Sequence, residues 1–165
     1  MRTYRYVGSE EIARQAQAEI ERLRPAGPAD IRAWAARAKR RALEFTYVVD
    51  VGGDLWLSDR HTEHVACARG APVLGAGELA VDVGPQAVAI TSVSNQSTGY
   101  CPEPDCWPAV KNALLRAGLQ PPAGFTYAFS YRRCRACRGI NILKDGMPEC
   151  PVCGAELPAE WNLED

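Results

Sequence analysis

The segment CRACRGINILKDGMPECPVC, residues 134–153, constrains this chain more than any other. It holds four of the seven cysteines as two Cys-x-x-Cys pairs, Cys134/Cys137 and Cys150/Cys153, with twelve residues between them. Each pair can wrap one side of a tetrahedral ion, and RGINILKDGMPE is long enough for a hairpin turning at Asp145-Gly146. So short a segment cannot build its own core, so metal binding is expected to supply its folding free energy. Seven is an odd number, which argues against a complete disulfide framework. The N-terminal MRTYRYVGSEE lacks the apolar stretch of a signal peptide, and no apolar run approaches the ~20 residues of a spanning helix. The expected compartment is the cytoplasm, with no membrane association, and there thiols stay reduced and paired cysteines act as metal ligands. The richness in Ala, Arg, Gly and Pro suits a GC-rich bacterial genome.

Residues 131–157 resemble the zinc-ribbon family, whose members carry two such knuckles on short hairpins. The resemblance implies structural Zn2+ held by Cys134, Cys137, Cys150 and Cys153, with every coordination position filled and none open to substrate. Iron in a rubredoxin-like site would use the same four thiolates, whereas a redox dithiol would present one motif opening a helix. Function at such a site must come from its surface. Arg132, Arg133, Arg135, Arg138 and Lys144 crowd the first knuckle, a local positive footprint of the kind that contacts phosphate. The alternative is a solvated hairpin whose arginines bond to acids such as Glu149 or Glu156. The net charge of −1 supports no general affinity for nucleic acid, so a nucleic-acid partner rests on this patch, and a protein partner stays open.

The rest of the chain reads as α+β, with a boundary near Arg133: an α+β domain over 1–133, the ribbon over 134–157 and a tail over 158–165. Ser9 can cap a first helix carrying Ile12, Ala16, Ile20 and Leu23 on one face and stopping at Pro25. A second runs from about Asp30, with Ile31, Trp34, Ala35, Ala38 and Ala42 inward and Arg32, Arg37, Lys39, Arg40 and Arg41 outward. FTYVVD and LWLSD form a hairpin across VGGD, PVLGAGELAVD and QAVAITSVSN pair across VGP, and FTYAFSYRR is a last strand. An antiparallel sheet of about five strands is expected, with one helix, capped by Asp105, inserted before the last.

The middle of the chain holds a second concentration of chemistry. His61 and His64 are the only histidines, and SVSNQSTGYCPEPDCW is a polar loop between a strand and a helix. His61-Thr62-Glu63, followed by Cys101 and Cys106, partly resembles the His-x-Glu and Pro-Cys-x-x-Cys motifs of zinc nucleobase deaminases, although four residues separate these cysteines instead of two. The order EHVACARGAPVLGAGEL, SNQSTGYCPEP and a helix ending in AGL resembles a domain of bacterial proteins and plant IQ-motif proteins, over about residues 45–120. That likeness implies a site near His64, Glu78, Asn95, Ser97, Tyr100 and Cys101. Of these, His64, Glu78, Tyr100 and Cys101 are the candidate catalytic residues of a small enzyme acting on a nucleotide-like substrate, deaminase-like or a transferase. The competing expectation is packing: His64 and Glu78 bond across strands while Tyr100 and Cys101 lie under the loop.

Overall fold

The computed structural model describes residues 1–16, 19–144 and 146–164. Strands β1 (Ala42–Asp50), β2 (Leu55–Asp59), β3 (Val73–Val83) and β4 (Val88–Val93) make one antiparallel sheet in the order β2-β1-β3-β4. The β1–β2 turn forms because Gly53 adopts φ 82° and donates to Asp50 O, while Asp50 Oδ1 accepts from the amides of Gly52 and Asp54. Alternation then directs Phe45, Tyr47 and Val49 to one face, where α2 (Pro28–Ala38) and α4 (Trp107–Arg116) cover them. Trp34 of α2 meets Phe45 edge-to-face at 5.3 Å. The opposite face, with Val48, Ser58 and Ala76, is also buried, beneath the short α3 (His64–Cys67). At Gly77 a Cβ would collide with the Ser94 carbonyl, so only glycine lets the chain leaving β4 cross this close to β3.

Three expectations about the helices change. The first helix, α1, covers Glu10–Gln15, with Ser9 as its cap, and does not reach Arg24. Instead Leu23 exchanges both backbone hydrogen bonds with Leu57 at 2.8 Å, because β2 is a sheet edge whose open amide and carbonyl outcompete continued helix. Helix α2 stops at Ala38, where Lys39 turns left-handed at φ 55°, and Ala42 begins β1, pairing with Asp82 of β3. Asp105 does not cap α4: a 3-10 turn, Pro104–Cys106, precedes the helix, and the Asp105 carboxylate accepts from Tyr4 Oη at 3.1 Å.

The predicted last strand divides. Thr126 and Tyr127 touch the end of β4, whereas β5 (Tyr131–Arg133) pairs with β6 (Ile140–Ile142) in a separate two-stranded sheet. The α+β architecture with its inserted helix therefore stands, its strands divided four in one antiparallel sheet and two in another. Asp145, in the predicted hairpin turn, lies outside the described residues, and its neighbours Lys144 and Met147 bridge one another. Among the described residues no helix is long and apolar enough to cross a membrane.

Candidate metal centre

The two knuckles repeat one backbone pattern. Cys134 donates to Gly139 O and Arg138 donates to Cys134 O; in register, Cys150 donates to Ala155 O and Gly154 to Cys150 O, all within 2.8–2.9 Å. The fourth residue after each leading cysteine is left-handed, Arg138 at φ 65° and Gly154 at φ 73°. This winding brings the four sulfurs together. Cys134 Sγ lies 3.6 Å from Cys153 Sγ, Cys137 Sγ lies 3.7 Å from Cys150 Sγ, and all four atoms fall within 4.8 Å of one another. A disulfide needs about 2.05 Å, whereas four thiolates about 2.3 Å from a tetrahedral ion stand roughly 3.8 Å apart. The spacing fits a metal and not a covalent bridge.

The chemistry of the leading cysteine in each knuckle agrees. Backbone N–H groups of Cys137 and Ala136 point at Cys134 and hold its thiol below the usual range. Those of Cys153 and Val152 lower Cys150 to about 6. Amides aimed at sulfur favour the thiolate, the form that binds metal. Cys134 and Cys150 are buried with Leu157, while Cys137 and Cys153 face outward. The four cysteines are therefore positioned to hold one metal ion.

The arginines around the first knuckle separate into two kinds. Arg132 is buried: Nη1 donates to Glu103 Oε1 at 2.8 Å, Nη2 to Ala159 O at 3.0 Å and Nε to Pro158 O at 3.1 Å. It joins the ribbon to the polar loop and the tail, and no edge is left to face a partner. Arg133 is half-buried with Nη1 on Arg138 O, and its backbone exchanges hydrogen bonds with the Asn162 amide. Arg135, Arg138 and Lys144 are exposed. Neither Arg135 nor Arg138 pairs with an acid among the described residues, although Glu156, Glu160 and Glu164 line the cleft that Arg135 borders.

The central candidates do not gather. His64 Nε2 meets Gly77 O at 2.9 Å, and burial holds the imidazole below its usual pKa. Tyr100 is fully buried, donates to Ala71 O at 2.8 Å and stacks edge-to-face on Tyr6. Cys101 Sγ donates to Thr98 O at 3.2 Å, and burial pushes its thiol up to about 12. Glu78 stands exposed on β3. Asn95 and Ser97 hold the loop: the Asn95 amide donates to Pro102 O and Phe129 O, and Ser97 N donates to Tyr131 Oη. No hydrogen bond links His64, Glu78 and Tyr100 among the described residues. His61 is exposed while Cys101 and Cys106 are buried, and the four C-terminal cysteines form the metal-ligating cluster among the described residues. Glu103, the half-buried partner of Arg132, is the residue that sequence reasoning overlooked; its signal was an acid held between two prolines, Pro102 and Pro104.

No protein-family model, curated protein or solved structure matches the chain. The likeness of residues 45–120 to the domain of IQ-motif proteins accordingly assigns no family.

Proposed function

We propose that the chain is a recognition module built on a structural zinc site, and that it contacts nucleic-acid phosphates through the first knuckle. Zinc is the ion of choice because four thiolates in a closed tetrahedral cage, without a redox or substrate position, is its commonest structural arrangement. Arg138 carries the partner reading. It occupies in left-handed conformation the place that Gly154 fills in the second knuckle. A non-glycine residue there costs about 1 kcal/mol, so an exposed arginine kept at that point is explained by what its side chain meets. Arg135, three residues before it, presents a second guanidinium. Every candidate catalytic residue of the central loop but Glu78 is engaged by backbone carbonyls, which supports recognition over catalysis.

Metal analysis should find about one zinc per chain, and fluorescence anisotropy should detect binding of labelled single-stranded RNA or duplex DNA at low salt. Arg135→Ala combined with Arg138→Gly, which preserves the turn, should weaken binding and flatten the salt dependence by roughly 1.4–1.8 in log–log slope, two phosphate contacts' worth. Zinc content with no nucleic-acid binding at low salt transfers the surface to a protein partner. A slope unchanged by the double substitution moves the contact elsewhere.

A further inference from the structure

Where Leu23 joins the edge of β2, the preceding residue Arg22 sets its guanidinium carbon over the Trp56 ring, 3.8 Å from the centroid, with Nη1 donating to Cys67 O at 2.6 Å. This cation–π contact and the bond to the carbonyl together hold the guanidinium in place. Arg22 has no acidic partner among the described residues, and its Nε has no hydrogen-bond acceptor. Arg69, left-handed at φ 52° just beyond α3, brings a second, exposed guanidinium to the same cleft, again without an acidic partner among the described residues. The cleft has a volume of about 260 Å3, and its walls are Val48, Ala68, Ala71, Pro72 and Val73.

Asp50 is the acid on this lining, and its single negative charge offsets only one of the two arginines. Its oxygens accept from Gly52 N, Asp54 N and Trp56 Nε1, at 2.9–3.0 Å. Those bonds hold the turn and aim the indole, so the carboxylate keeps its charge but makes no hydrogen bond to either arginine among the described residues. Two arginines beside one carboxylate leave a net positive charge in an apolar-walled cleft, and burial, then Arg69, lower the pKa of Arg22, with Asp50 opposing them only in part. An arginine does not relieve such strain by losing its proton. A planar carboxylate relieves it by accepting from both guanidiniums, and an apolar body attached to it would cover Pro72 and Val73. Inorganic phosphate matches the charge but offers nothing to the walls.

We propose that this cleft binds a small organic monocarboxylate, its carboxylate bridging Arg22 and Arg69 and its apolar body lying against the wall of Pro72 and Val73. The site is independent of the cysteine cluster and of the first knuckle.

The probe is sodium benzoate, titrated at constant ionic strength into the full-length, metal-loaded, 15N-labelled chain. The readout is the Trp56 indole N–H resonance, assigned by its loss in Trp56→Phe. A saturable shift with Kd on the order of 1 mM or tighter is expected. It should weaken at least about tenfold in Arg69→Ala, an exposed substitution that leaves the fold intact, and should not be reproduced by benzyl alcohol. Absence of a saturable shift up to ~10 mM, equal binding by Arg69→Ala, equal binding of the neutral alcohol, or tighter binding of inorganic phosphate than of benzoate each overturns the proposal.

Discussion

Arg132 and Glu103 form an ion pair with side chains 7% and 14% exposed, and its worth lies in what either partner would leave behind alone. Both charges were taken out of water, so removing one strands the other in a site that cannot solvate it, at a cost of about 3–5 kcal/mol. Arg132→Met should therefore lower stability by about 3 kcal/mol or more in denaturant unfolding, and adding Glu103→Gln to it should recover a large part of the loss. Additive losses in that double-substitution cycle would mean the pair contributes only packing. His64 makes the opposite case, a titratable group kept neutral. Burial lowers its folded pKa while the unfolded chain titrates near 6.5. Below that value the unfolded state binds a proton that the folded state refuses, so stability is full above about pH 6.5 and falls as pH drops towards the folded pKa. His64→Gln, which can still reach the Gly77 carbonyl as a donor, should lose less stability than wild type between about pH 7.5 and 5.5. Acid sensitivity of the cysteine site is common to both proteins, so the difference between their pH profiles isolates His64.

At the level of elements, the two knuckles share a winding but differ in the residue placed at its left-handed position. Arg138→Gly should stabilise the metal-loaded ribbon by about 0.5–1 kcal/mol, while weakening any phosphate contact. Thermal unfolding of the ribbon and nucleic-acid anisotropy, measured on the same variant, separate these effects. A ribbon destabilised by glycine would mean that the Arg133 Nη1 contact with Arg138 O depends on the arginine's own backbone preference. Cysteine spacing made this element legible, because ligand geometry fixes the chain path with little help from elsewhere. The β1–β2 and β3–β4 hairpins were equally legible from Gly-rich turns and alternating apolar residues. Residues 20–24 were not. Their 3.6-residue periodicity is genuine, but the open edge of β2 at Leu57 is a tertiary fact that local pattern cannot contain. The polarity of the loop at 94–103 likewise read as a ligand site, although Asn95 and Ser97 spend their hydrogen bonds on the loop's own backbone and on Tyr131.

Across the whole molecule, buried side chains fall into a main core around the sheet and two small clusters. One consists of Cys101, Tyr131 and Leu163, and the other of Cys134, Cys150 and Leu157. The middle cluster draws on the polar loop, the ribbon hairpin and the tail, so it stands between metal and sheet. Chelation, or Cys150→Ser, should unfold the third cluster outright and raise hydrogen exchange in residues 131–157, while amides of β1 and β3 stay protected. Trp161 decides how far the loosening travels. Its Nε1 donates to Cys101 O at 2.8 Å, its ring meets Tyr4 edge-to-face at 5.5 Å, and Arg2 stacks on it at 4.9 Å. Tyr4 in turn pairs with Val73 of β3 through two backbone hydrogen bonds, so one indole ties the tail to the sheet through a single intermediate. Trp161→Ala should cost about 3 kcal/mol, the low end for a large aromatic because the ring is only partly buried. Trp161→Phe should retain the contact with Tyr4 and lose about 1 kcal/mol for the missing donor. In the alanine variant, hydrogen exchange should rise in residues 97–103 with metal still bound, at one ion per chain by mass spectrometry. Exchange confined to residues 158–164 would show that the tail rests on the loop without holding it, and the route from ribbon to sheet would then run through Arg132 and Glu103 alone.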